Sequence, residues 1–178
     1  TNLGVISISG EVNLGDNYNL EYDSWGSGEP NNSPSPEDVA EMISSSGAWN
    51  DANASDTRPS YVEFNGIINV LSDFIFLGQY NGHSYFKNPS QLNWEAAKQA
   101  AESAGGYLSS HHTAEENSTV AAFDYFRGWI GLYHDTNASN YSEPSMGWKW
   151  VEPIAYNNNP FSSIKVELLR NYQMTKND

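Results

Sequence analysis

The stretch from residue 26 to residue 60 limits the fold more than any other part of the sequence. It reads GSGEPNNSPSPEDVAEMISSSGAWNDANASDTRPS and is dense in Gly, Pro, Ser, Asn and Asp, the residues of turns and loops. A compact domain seldom carries so long an irregular segment unless it is functional. The expectation is therefore a long loop region with a task. Within it, Glu29-Pro30-Asn31, Glu37 and Asn50-Asp51 offer three carboxylates and two amides. One reading is a cluster of polar turns. The other is a set of oxygen ligands for a hard cation.

Bulk properties narrow the classes. The formal net charge of −14, from 22 acidic and 8 basic residues, repels phosphate backbones and argues against nucleic acid as a partner. Aromatic residues make up 13% and are spread along the chain, unlike the aromatic-poor composition of acidic disordered segments. With 178 residues and no cysteine, the chain has room for one domain or two small ones, held without disulfides or thiolate metal sites. The longest apolar run, GIINVLSDFIFLG (66–78), is broken by Asn69 and Asp73 and is too short for a membrane span. The sequence opens on Thr, carries no leader-like segment and reads as an excerpt of a larger multidomain chain.

Residues 1–25 alternate apolar and polar side chains, which predicts short strands. PSYVEFNG (59–66) predicts a strand with Tyr61 and Glu63 on one face and Val62 and Phe64 on the other. The segment 74–87 predicts a hairpin turning at Asn81-Gly82, the preferred type I′ dipeptide. A helix is expected over 90–106, with Trp94, Ala97, Ala101 and Ala104 at helical spacing and Gly105-Gly106 at its end. A second is expected over 112–126, opened by a capping box of Thr113 and Glu116. GWIGLY (128–133) and GWKWV (147–151) read as buried strands, and 156–178 carries no recognisable motif.

Calcium takes six to eight oxygen ligands from carboxylates, amide carbonyls and water. Glu29, Asn31, Glu37, Asn50 and Asp51 supply five such side chains with three negative charges, leaving positions open for the hydroxyls of a vicinal diol. Carboxylates accept hydrogen bonds from those hydroxyls and amide groups donate to them. A cis bond before Pro30 would aim its two neighbours at one point.

These residues resemble the calcium-dependent sugar site of C-type lectin domains: Glu-Pro-Asn at 29–31, a Glu eight positions after the first, and Trp-Asn-Asp at 49–51. The resemblance implies that Glu29, Asn31, Glu37, Asn50 and Asp51 bind both Ca²⁺ and sugar, and that Asp51 adds its backbone carbonyl. It implies a cis Pro30 and a sugar of the mannose, fucose, glucose or N-acetylglucosamine class, since galactose-type members usually carry Gln-Pro-Asp. The fold implied is α+β, a C-type lectin-like domain with two helices, small antiparallel sheets and a long calcium-binding loop. Residues 1–66 resemble the later part of such a domain, and 74–155 the earlier part, with Trp-Ile-Gly-Leu at 129–132 as the core strand. That order arises from an excerpt of two tandem domains, from missing stretches, or from circular permutation; the first two are expected here. Glu152-Pro153-Ile154 stands where a second Glu-Pro-Asn would fall, with no second Trp-Asn-Asp after it, so one sugar site is expected. Trp49, Trp129 and Gly131 are expected to be structural.

Other motifs read as ordinary surface or core. His111-His112 with Glu115 lacks a third ligand at usable spacing for zinc and reads as an exposed helix start. DTNASN (135–140) and DANASD (51–56) lack the Gly and Glu of a calcium-binding helix–loop–helix. No nucleophile elbow or phosphate loop is present, so no enzyme is expected. The expected function is calcium-dependent carbohydrate binding by an adhesion module of an extracellular or cell-surface protein, its partners being glycans on a cell surface or matrix. The alternative is a calcium-stabilised structural or protein-binding module of an adhesin.

Overall fold

The computed structural model describes residues 20–43, 46–124 and 126–151. The alternating stretch over 1–19 and the segment 152–178 lie outside the described residues.

Eight strands and two helices follow in the order β1 (Val39–Ile43), β2 (Ala48–Ala52), β3 (Arg58–Asn65), β4 (Ile75–Tyr80), β5 (His83–Leu92), α1 (Trp94–Ser103), β6 (Tyr107–Leu108), α2 (Ala114–Phe123), β7 (Arg127–His134) and β8 (Trp148–Trp150). The strands form one connected sheet in the order β2-β1-β7-β3-β5-β4, with β6 added to β3 and β8 to β7. The pairings are antiparallel except β3 with β7, which run parallel through Ser60 and Trp129. The class is α+β, as expected, although the strands join into one mixed sheet rather than several small antiparallel ones.

The segment that reads as the later part of a domain supplies β1, β2 and β3, and the segment that reads as the earlier part supplies the rest. Separate tandem units would place these strands in separate sheets. Among the described residues they share one, because β1 pairs with β7 and β3 with β5, β6 and β7. The stretch 26–60 is also less irregular than its composition suggests. Val39, Ala40 and Met42 are buried in β1, and Trp49 and Ala52 in β2, so apolar contact with the core overrides the turn-forming neighbours.

Local signals elsewhere are realised. Asn81 and Gly82 both adopt positive φ, 47° and 85°, between β4 and β5. Asn93 caps α1 by accepting a hydrogen bond from the Ala96 N–H at 2.8 Å, and Trp94, Ala97 and Ala101 form its buried face. Thr113 caps α2, its Oγ1 accepting from the Glu116 N–H at 3.1 Å. The Glu116 carboxylate reaches back one residue further than a capping box would place it, to the N–H of His112 at 2.8 Å.

Aromatic residues fill the core. Trp49 and Trp129 are fully buried, and each indole N–H finds an acceptor, Asn117 Oδ1 and the Leu92 carbonyl, both at 2.8 Å. Trp25 packs edge-on against Trp49 and Trp148. Gly131 sits where β6 and the residue after β8 close on β7: a Cβ there would lie 2.5 Å from the Leu108 carbonyl oxygen and 2.6 Å from Val151 Cγ2.

Candidate functional site

The antiparallel pair β1–β2 positions the acidic loop. Trp49 anchors β2 in the core, and its backbone binds the incoming chain on both sides. The Gly26 N–H donates to the Trp49 carbonyl, and the Trp49 N–H to the Ser24 carbonyl, both at 2.8 Å. The segment after Gly26 therefore starts alongside β2, which carries Asn50 and Asp51. Glu29–Pro30 is a cis peptide bond, as are Ser33–Pro34 and Ser35–Pro36.

Asp51 is fully buried and ties the loop down. Its Oδ2 accepts from the backbone N–H of Asn31 at 3.0 Å and of Asn32 at 2.7 Å. Glu37, 9% exposed, accepts from the Ser33 N–H at 2.8 Å, while its own N–H donates to Asn32 Oδ1 at 2.9 Å. The amide nitrogen of Asn31 contacts Glu29 Oε2, and that of Asn50 contacts the Asp51 backbone carbonyl. Contacts thus join Glu29, Asn31, Asn50 and Asp51, and Glu37 is held on the same loop through Ser33 and Asn32.

Their electrostatics are unfavourable as they stand. Desolvation raises the pKa of Glu29, and the neighbouring Asp51 and Glu37 raise it further, with only the Asn31 amide opposing. Glu37 is raised first by burial and then by Asp51, Asp56 and Glu41, against the Ser33 N–H. Among the described residues, none of the ion pairs involves Glu29, Glu37 or Asp51. A divalent cation would supply what is missing, and a set of carboxylate and amide oxygens would suit calcium. Asn31 and Asn50 point amide nitrogens at neighbouring oxygens, and a half-turn of each amide presents Oδ1 instead. For Asn50 that turn gives up a hydrogen bond to Glu41 Oε1 of 3.1 Å.

Three further clusters escaped the sequence reading. Glu41, fully buried, receives Arg58 Nε and Arg127 Nε on Oε2 at 2.5 Å each, and Arg127 also reaches Oε1. Glu63, 2% exposed, accepts from the Tyr107 hydroxyl at 2.5 Å and the Ser110 N–H at 3.0 Å, and pairs with His83 Nδ1 at 2.6 Å. It lines a cavity of about 350 Å³ with His83, Tyr107, His112 and Glu116, apart from the Glu29–Asp51 loop. Asp38, His134 and Glu143 form the third. A Glu within the expected strand 59–66 was the available signal for Glu63; nothing local announced Glu41 or the third cluster.

His111 is not at an exposed helix start. It is fully buried, with Nδ1 2.9 Å from Asn117 Oδ1 and Nε2 3.1 Å from Ser109 Oγ, and burial lowers its pKa. It is a satisfied core histidine, while His112 is exposed.

The family model described as lectin C-type domain matches residues 90–177. The match begins near the end of β5, takes in both helices and the strands β6, β7 and β8, and runs on past the described residues; it does not reach the Glu29–Asp51 loop. No solved structure matches the chain.

Proposed function

The chain belongs to the C-type lectin domain family, whose function class is calcium-dependent binding of carbohydrate or protein, and from that premise we propose that its ligand is a sugar of the mannose, fucose or glucose class. Glu29, Asn31, Glu37, Asn50 and Asp51 hold Ca²⁺ in this reading, and the sugar's vicinal hydroxyls complete the coordination. Segments 1–66 and 74–155 act together as one binding unit, and the protein serves as an adhesion module at a cell surface or in the extracellular space. The observation that supports the reading is that Glu29, Glu37 and Asp51 lie near enough for Asp51 to raise the pKa of both glutamates, while none of the ion pairs among the described residues involves them.

The test is retention on a mannose matrix in calcium buffer followed by elution with EDTA. Retention that EDTA reverses is expected. The double change Glu29→Gln with Asn31→Asp should move preference toward galactose, because it reverses the donor and acceptor order presented to the sugar. Unchanged mannose preference would remove these side chains from direct ligation.

A second reading, calcium-ordered protein binding without sugar, draws on the apolar residues Ile67, Val70, Ile75 and Phe76, which are 41–86% exposed on and before the edge strand β4. It expects a melting temperature that rises with calcium and no retention on any sugar matrix.

A further inference from the structure

The third cluster lies where β1 begins and β7 ends. The His134 N–H donates to the Asp38 carbonyl at 2.8 Å, which fixes the two residues side by side. Glu143 comes in from the loop between β7 and β8. One ligand atom from each of Asp38, His134 and Glu143 lies within 4.8 Å of the other two.

His134 decides what the cluster is for. Its side chain is fully buried, and its ring stacks on Trp148 at 4.7 Å with an interplanar angle of 2°. Nε2 lies 2.5 Å from the Met146 carbonyl oxygen, which can only accept, so Nε2 carries a proton. The other nitrogen, Nδ1, is buried and has no hydrogen-bond partner. It faces Glu143 Oε1 at 3.4 Å and Asp38 Oδ1 at 3.8 Å. A charge-assisted hydrogen bond from a protonated Nδ1 would be about 2.7–2.9 Å long. A tetrahedral zinc site with bonds of about 2.0–2.2 Å separates neighbouring ligand atoms by about 3.3–3.6 Å. The observed spacing leaves room for an ion rather than a proton.

We propose that Asp38, His134 Nδ1 and Glu143 form a site for a divalent transition metal of the zinc class, separate from the Glu29–Asp51 calcium loop. The donor set separates the two: calcium prefers oxygen alone, whereas a neutral imidazole suits zinc and its neighbours in the series. The backbone carbonyl of Met146 orients the ring and fixes its tautomer, as outer-shell acceptors do for metal-bound histidines. Asp38 and Glu143 keep 38% and 34% of their side chains exposed, so the ion enters from solvent on the carboxylate side, and the fourth position stays open to water. Bound there, the metal pins the loop 135–147 to the start of β1. The same loop holds Asn140, whose amide atoms are buried without partners.

The test is a titration of the calcium-saturated protein with Zn²⁺, and in parallel with Co²⁺ as a spectroscopic stand-in. Excess calcium occupies the acidic loop, so zinc taken up there does not count. One equivalent of Zn²⁺ should bind, and Co²⁺ should give the intense visible bands of a low-coordinate site. Asp38→Asn and Glu143→Gln change partly exposed side chains and leave His134 in place; each should weaken Zn²⁺ at least tenfold. Glu29→Gln should not. The ¹⁵N resonance of His134 Nδ1 should shift on adding Zn²⁺ while Nε2 stays protonated. The proposal is overturned if calcium-saturated protein takes up no zinc, if both carboxylate variants bind as the parent does, or if Nδ1 carries a proton at neutral pH with zinc present.

Discussion

Two acidic groups share the hairpin of β1 and β2 and meet opposite fates. Glu41 stands across from Asn50 in the ladder, and Ala40 across from Asp51, so the two clusters are one residue apart in register. Glu41 receives two guanidinium groups. One of them, Arg58, is itself placed over the Trp129 ring at 4.8 Å. Glu29, Glu37 and Asp51 receive backbone N–H groups and an amide, but none of the ion pairs among the described residues. Asn50 joins the two, its amide bridging Glu41 and the Asp51 carbonyl. The contrast separates an acid that completes the fold from acids that the fold leaves short of positive charge. A buried carboxylate is therefore not in itself a sign of a ligand site; the absence of its counter-charge is.

The largest effect should come from removing the finished acid. Glu41→Ala leaves Arg58, 18% exposed at its side chain, facing a hole without its partner. Breaking a buried ion pair in this way costs about 3–5 kcal/mol, and the half-exposed Arg127 favours the lower end. Denaturant unfolding in EDTA measures the loss. A change below about 1 kcal/mol, the scale of surface pairs, would place Glu41 with the surface acids.

Removing an acid from the other cluster should act in the opposite direction. In EDTA, Glu29→Gln lifts repulsion from Asp51 and Glu37, so the variant should melt at or above the parent temperature. In calcium the order reverses. A ligand at a hundred times its Kd stabilises by about 2.7 kcal/mol, and the variant should lose most of that gain. Thermal melts of both proteins, with and without calcium, give the four values. A Glu29→Gln variant that melts lower in EDTA would mean that the loop is held by its own hydrogen bonds and is not waiting for charge.

The pH dependence sharpens the same point. Glu29 and Glu37 have folded-state pKa values raised above the ordinary carboxylate range, so the folded state binds protons more tightly than the unfolded one. Linkage then gives a stability that is greatest below the unfolded pKa, about 4.3, and that falls as pH rises through the raised folded values. The calcium-free protein should lose stability across that window, while calcium affinity should rise over it as the carboxylates ionise. Melting curves in EDTA across mildly acidic pH, set beside calcium titrations at the same pH values, check both slopes. A stability that rises with pH in EDTA would contradict the crowding of like charges.

How much of this was legible beforehand follows from range. The Thr113 cap, the Asn81-Gly82 turn and the apolar spacing of α1 act within a few residues and appear where the sequence put them, although α1 starts at Trp94 because residues 90–92 belong to β5. The acidic loop was legible because its spacing matched a family pattern. Strands β1 and β2 were hidden, since Val39–Ile43 and Ala48–Ala52 are short and set among turn residues, and they become strands through the pairing of β1 with the distant β7 and of β2 with β1. Glu41 with Arg127, and Asp38 with His134, are contacts between segments more than eighty residues apart. No local pattern encodes them, so the sheet order had to be known first.

Glu63 stands between the two extremes of the opening comparison, because its cation is conditional. His83 Nδ1 lies 2.6 Å from it, and hydrogen bonding to Glu63 is the largest influence raising the His83 pKa, with burial opposing. A histidine whose folded pKa exceeds its unfolded value near 6.5 contributes stability that is fully present below that value and is lost as pH rises through the folded pKa. In calcium-saturated protein, where the acidic loop no longer titrates, the advantage of the parent over His83→Gln should be largest below the unfolded value, about 6.5, and fade as pH rises through the raised folded value. With a third of its side chain exposed, His83 should give the smallest of these effects. Melting temperatures of the two proteins across that range, with the His83 ring resonances followed by NMR, separate the outcomes. An advantage independent of pH would mean that His83 packs against the cavity wall and carries no charge for Glu63.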